Sequence, residues 1–198
     1  MLIAELDDAY PNFLKETPNI SDLQQFYKNS KARFDSSPEF KERAHQNVVK
    51  LQEGDEHCRA AWSMLCKISR TEFDRIYDRL DINLKEVGES FYNQFLAPMV
   101  DELTEKGLAV EDQGAICIFL PKQKVPLMIR KSDGGFNYDT TDMAALRYRV
   151  DEIKPDRIVY VTDIGQEFHF KSIFKGALKC QFYDPEKTQL DHMGFGLI

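Results

Sequence analysis

The sequence predicts a mixed α/β fold in which a mainly helical stretch precedes a partly wound layer of strands and helices. Three observations point there: apolar residues at helical spacing from Ser21 to about Leu84, a hairpin pattern between Leu108 and Leu120, and alternating strand and helix patterns from Leu127 onward. The chain has 198 residues, 42% hydrophobic and 30% charged, enough to bury a substantial core and unlike the composition of a disordered segment.

Leu2, Leu6, Ala9 and Phe13 can share one helical face, with Pro11 stopping or kinking that helix near Tyr10. An apolar start with no polar lead-in reads as a helix met halfway, so the chain is expected to be a piece of a longer protein. Ser21 precedes a helical pattern through Leu23, Phe26 and Tyr27. Ser37-Pro38-Glu39 is a second helix start, with Ser37 as N-cap and Pro38 in the first turn, and Gly54 ends that helix. Asp55 opens a third, carrying Ala61, Met64, Leu65 and Ile68, with a short break expected at Ser69-Arg70-Thr71-Glu72. Aromatic residues at these spacings read as core stripe rather than ligand cage. Asp81 to Leu84 alternates like a short strand, and Gly88-Glu89-Ser90 breaks the chain before a helix with Phe95, Met99, Val100 and Leu103 that Gly107 closes. Then come a hairpin turning at residues 111–114, a strand at Leu127-Met128-Ile129, a helix from Thr140 to Val150 capped by Asp139 or Thr140, and a strand from Asp156 to Val161. A helix from about Phe168 to Cys180 and a last strand from His192 complete the pattern.

The formal charge of −7 gives the surface no general attraction for a polyanion, so any nucleic-acid contact by these residues is expected to be weak. The four cysteines have no C-x-x-C spacing and the four histidines form no H-E-x-x-H cluster, so no metal site is expected and the thiols fit a reducing, cytoplasmic setting. No apolar run approaches a membrane span, and Glu5, Asp7 and Asp8 stand where a targeting peptide wants positive charge.

Ligands of wound α/β layers sit beyond the carboxyl ends of the strands, which directs attention to residues 132–142 and 163–169. In Lys131 to Ala145, Gly134-Gly135 permits a tight turn, and Tyr138 and Asp142 stand four residues apart at a helix start. Asp142 has two readings there: a favourable charge in a first helical turn, or a partner for a guanidinium. Tyr138 reads from spacing first as a partly buried ring and second as a pocket wall, and Gln166 equally as a loop cap or a ligand contact.

Tyr138-Asp139-Thr140-Thr141-Asp142 closely resembles the Tyr-x-Thr-Ser/Thr-Asp motif of arginine–tRNA ligases, which are class I aminoacyl-tRNA synthetases. Glu89-Ser90-Phe91-Tyr92, Lys131 to Gly135, Asp163-x-Gly165-Gln166-x-x-His169-Phe170 and His192-x-Gly194-Phe195-Gly196 occur around it in the family's order. The resemblance covers essentially the whole chain, and the eukaryotic cytosolic form is nearest in pattern. It implies a partial Rossmann-like nucleotide-binding fold with an inserted mainly helical subdomain. Residues 1–20 would be the remainder of the first nucleotide-fold half, 21–120 the inserted region, and 121–198 a truncated second half.

By the same resemblance Tyr138, Asp142 and Gln166 would bind arginine, and His192, Gly194 and Phe195 would lie beside the adenosine of ATP. No residue is assigned a catalytic role, and His169 is expected to pack at a loop or helix start. The family joins arginine to ATP, with Mg2+, and passes it to tRNA. The sequence contains no His-x-Gly-His signature and ends before the family's Lys-Met-Ser-Lys loop. The expectation is therefore a specificity-bearing piece of an arginine–tRNA ligase, inactive alone, the alternative being a truncated synthetase domain used as a noncatalytic structural or interaction module.

Overall fold

The computed structural model describes residues 1–16, 18, 20 and 23–196. The expected helix start at Ser21 and the last two residues, Leu197 and Ile198, lie outside them. The chain divides into two compact units, Met1–Lys85 and Glu86–Ile198. This division records packing, whereas the three segments expected above concern descent from a nucleotide fold.

The first unit is helical: α1 (Leu2–Ala9), α2 (Leu23–Ser36), α3 (Pro38–Glu53) and α4 (Glu56–Arg79). Leu6 and Phe13 are buried as their spacing predicts, but Ala9 is exposed and Ala4 and Glu5 are buried instead. The Ser37 side chain accepts from the Phe40 amide, Pro38 follows it, and Gly54 closes α3 at φ +90°, so both ends of that helix follow from the sequence. The expected break at residues 69–72 does not occur. The hydroxyls of Ser69 and Thr71 donate to the carbonyls of Leu65 and Lys67 at 3.0 and 3.1 Å, folding back onto their own helix rather than competing with it. Leu6, Phe13, Phe26, Ala61 and Leu65 form the core of this unit.

In the second unit a short 3-10 turn, Glu89–Tyr92, leads into α5 (Asn93–Glu105), after which come β1 (Val110–Asp112), β2 (Ala115–Ile118), β3 (Leu127–Arg130), α6 (Tyr138–Tyr148), β4 (Arg157–Asp163), α7 (Glu167–Lys179) and β5 (Gln189–Phe195). The expected strand at Asp81–Leu84 is absent: those residues pair with no neighbouring strand, and alternation alone supplies no hydrogen-bonding partner. The hairpin is tighter than expected. Asp112 still pairs with Ala115, and Gln113 and Gly114 turn the chain with φ of +51° and +80°.

Strand β3 joins the antiparallel sheet β1-β2-β3, while β4 and β5 form a separate parallel pair, so the wound α/β layer begins later than Leu127. The main core draws on α5, β2, β3, α6 and α7, with Leu103, Ile118, Ile129, Met143, Leu146 and Ile173 at its centre. Gly176 lets α7 approach β3 closely, since a β-carbon there would collide with Leu127 and Met143. A smaller cluster of Ile158, Tyr160 and Phe170 seats α7 on the parallel pair.

Candidate functional site

Helix α6 begins where the sharpest motif lies, but its cap is Asn137, two residues before Asp139 and three before Thr140, the expected candidates. The Asn137 side chain accepts from the Thr140 amide at 3.3 Å, and the Thr140 hydroxyl returns toward the Asn137 amide at 3.4 Å, a reciprocal capping box. Thr140 is fully buried and its hydroxyl also donates to the Ile129 carbonyl at 2.8 Å, which ties the helix start to β3. Upstream, Gly134 adopts φ +83° and the Asp133 carboxylate accepts from the Gly135 amide, giving the tight turn that the sequence predicts.

With α6 fixed this way, Tyr138, Thr141, Asp142, Ala145 and Arg149 line one side of an open cleft of about 320 Å³, and Val87, Glu89 and Tyr92 line the other. Two carboxylates and one guanidinium thus share the cleft. Arg149 is held between aromatic rings, 5.8 Å from the Tyr92 centroid and 5.3 Å from that of Tyr160. The Tyr160 hydroxyl is buried beside the Arg149 guanidinium, and burial pushes its phenol pKa up against the opposing pull of that cation.

The Asp142 carboxylate meets His169 Nε2 at 2.6 Å, and the same ring meets the Asp139 carboxylate through Nδ1 at 3.2 Å. Burial works to lower the His169 pKa, but the hydrogen bonds and charges of Asp139 and Asp142 outweigh it and raise the ring to about 9. The ring is therefore an imidazolium at neutral pH. His169 also packs edge-to-face against Tyr138 and Phe170, at 4.9 and 5.0 Å between ring centroids. The carboxylate partners were not visible in the sequence, since 27 residues separate His169 from Asp142. The available signal was Asp139 and Asp142 at i,i+3 on one helix, facing the first turn of a neighbouring helix.

Gln166 does not line the cleft. It is exposed in the 3-10 turn Ile164–Gln166, where its amide donates to Asp163 at 2.7 Å. His192, Gly194 and Phe195 lie on β5, opposite Tyr160, Thr162 and Asp163 of β4. His192 stacks on Phe170 at 5.1 Å and meets the Thr162 hydroxyl at 2.8 Å, whereas Phe195 is exposed at the carboxyl end of the strand. At Gly194 a β-carbon would come within 2.9 Å of the Ile164 backbone, so glycine allows the β4 loop to cross over β5. Among the described residues no group of three or more His, Cys, Asp or Glu side chains is arranged to hold a metal ion. No helix among them is long and apolar enough to cross a membrane.

The family described as "tRNA synthetases class I (R), catalytic domain" matches residues 1–198. The arginine–tRNA ligase of a Synechococcus species is 51% identical over 206 residues, which cover 100% of this chain and 35% of that protein. The cytoplasmic arginine–tRNA ligase of Cricetulus griseus is 50% identical over 198 residues, 100% of this chain and 30% of that protein. Among solved structures, arginyl-tRNA synthetase from Plasmodium falciparum superimposes with a TM-score of 0.83 at 41% identity, covering 99% of this chain and 33% of that one. A putative arginyl-tRNA synthetase from Campylobacter jejuni, at 11% identity and TM-score 0.62 over 97% of this chain and 41% of its own, shares the fold. The chain spans about a third of the length of the curated relatives it matches.

Proposed function

Because the chain belongs to the catalytic-domain family of class I arginine tRNA synthetases, we propose that it forms the arginine-recognising part of an ATP-dependent arginine–tRNA ligase acting in the cytoplasm. The carrying observation is the cleft of Glu89, Tyr138 and Asp142, where two carboxylates face a space sized for a side chain. A guanidinium is planar and presents five donors in a fixed fork, so carboxylates can grip it with paired hydrogen bonds, while a lysine ammonium offers only a point charge. Arg149 repels either cation alike, so the paired hydrogen bonds to the carboxylates decide between the two amino acids.

In the intact ligase arginine and ATP would yield arginyl-adenylate and pyrophosphate, after which arginine passes to the terminal adenosine of tRNA. In this reading residues 1–198 orient the amino acid. Gln166, outside the cleft in the turn after β4, would approach the amino acid from that side, and His192, Gly194 and Phe195 on β5 would lie beside the adenosine, toward the carboxyl ends of the parallel strands where ligands of such sheets bind. ATP would bring Mg2+ with its phosphates. The sequence holds no His-x-Gly-His tetrapeptide, so we place phosphate handling outside these residues and expect no adenylate formation by residues 1–198 alone. With a net charge of −7, this segment is a weak tRNA binder by itself. By descent, residues 1–20 and 121–198 belong to the two nucleotide-fold halves and 21–120 to the insertion between them.

Calorimetric titration of the folded chain with L-arginine and L-lysine tests the reading. Arginine is expected to bind at least roughly tenfold more tightly, a preference lost in Asp142→Asn. Equal affinity for both, or none for arginine, contradicts it.

A further inference from the structure

We propose that His169 is a positioning residue for amino-acid recognition: its ring, anchored by Asp139 on one side, holds the Asp142 carboxylate in the orientation that the cleft needs. The inference rests on the arginine reading above and adds a part to it.

Both ring nitrogens face carboxylates, at 3.2 Å to Asp139 and 2.6 Å to Asp142. A neutral imidazole has one donor and one acceptor, so only the doubly protonated ring can serve both partners. The cluster is also directional. The Asp139 side chain is 15% exposed and that of Asp142 31%, with Asp142 alone of the two on the cleft wall. Asp139 is thus the closed end of the clamp and Asp142 the end presented to a ligand. Tyr138 and Phe170 pack edge-to-face against the ring, and Phe170 is itself stacked on His192, so the imidazole is walled on several sides.

The charge arithmetic favours the same role. Asp139, His169 and Asp142 together carry one net negative charge at neutral pH, enough to complement one guanidinium. Without the imidazolium two neighbouring carboxylates would repel, and one would turn away. The charged or titratable neighbours are Tyr138, Asp139 and Asp142 on α6, with Glu89 and Arg149 further along the same cleft as Asp142.

Two substitutions separate positioning from packing, because glutamine keeps a donor near the place of Nε2 and asparagine keeps one near the place of Nδ1. In calorimetric titrations of the folded chain, His169→Asn is expected to weaken L-arginine roughly tenfold or more, and His169→Gln, which keeps the donor to Asp142 but loses the ring's charge, to weaken it at least about threefold less than His169→Asn does, with similar melting temperatures for the two. Equal losses in both variants, or no loss in either, overturn the positioning role. Absence of arginine binding by the parent chain overturns the arginine reading itself, and the positioning role with it. Should either variant fail to fold, carbon-13 carboxylate spectra of the parent decide: the Asp142 signal is expected to move as the His169 ring titrates between pH 7 and 10. A ring that titrates without moving that signal overturns the proposal.

Discussion

Each unit of this chain contains a network of carboxylates and cations, and the two are built in opposite senses. In residues 1–85, Asp8 accepts from both Arg33 and Arg43, and Arg33 reaches on to Glu5. In residues 86–198, one histidine is shared by Asp139 and Asp142. The first network has permanent cations and ties α1 to α2 and α3. The second has a cation that can be removed by pH, an excess of negative charge and one carboxylate on a cleft. The difference separates a brace from the recognition device proposed above: arginines stay charged well past neutral pH, while a histidine between two carboxylates leaves a net negative charge.

The largest expected effect that breaks this contrast is Asp142→Asn, which should weaken arginine roughly a hundredfold, since a charged hydrogen-bonding partner is lost on both the ligand and the His169 side. Calorimetry reads that loss, and the melting temperature should fall by much less than the affinity implies. Alkaline pH should act next. The His169 ring, raised from 6.5 to about 9, contributes its full stabilisation below pH 6.5, loses it progressively between 6.5 and 9, and contributes nothing above. Denaturant titrations at pH 6 and 10 should differ by on the order of 2 kcal/mol in the parent and by much less in His169→Gln.

The arginine brace responds to acid instead. Arg43 and Arg33 hold Asp8 down to about 2, against burial, so its contribution is present above the ordinary carboxylate range and lost as pH falls through 2. Asp8→Asn should cost about 1 kcal/mol in urea unfolding at pH 7, discounted for the partly exposed arginines, and leave arginine affinity unchanged. A comparable effect is expected of Thr140→Val, which removes the hydroxyl bonded to the Ile129 carbonyl and should cost about 1 kcal/mol by the same assay.

What the sequence disclosed and what it withheld follow from the range of the interactions. Local devices were legible: Ser37 as cap, Gly54 at its left-handed position, Asp55 as the next cap, and the turn at Gly134 are set by a few adjacent residues. Ser69 and Thr71 misled because a hydroxyl that breaks one helix bonds back to the carbonyl four residues earlier in another. Ile82 and Leu84 misled because strand alternation says nothing of whether a partner strand exists. At the site, Tyr138 and Asp142 were found through their motif and both line the cleft. Glu89 and Arg149 completed it from elements whose packing no short spacing encodes. The His169 clamp was hidden for the same reason: it depends on α6 and α7 lying side by side.

The most direct test of the central claim, that this cleft reads a guanidinium, is a nuclear magnetic resonance titration of the isotope-labelled chain with arginine and with citrulline. Citrulline is the neutral isostere of arginine. Arginine should move the carboxylate signals of Glu89 and Asp142 and the guanidinium signal of Arg149 while leaving Asp8 still, and citrulline should move none of them. Equal shifts from both ligands, or arginine shifts spread over acidic residues of both units, would contradict it.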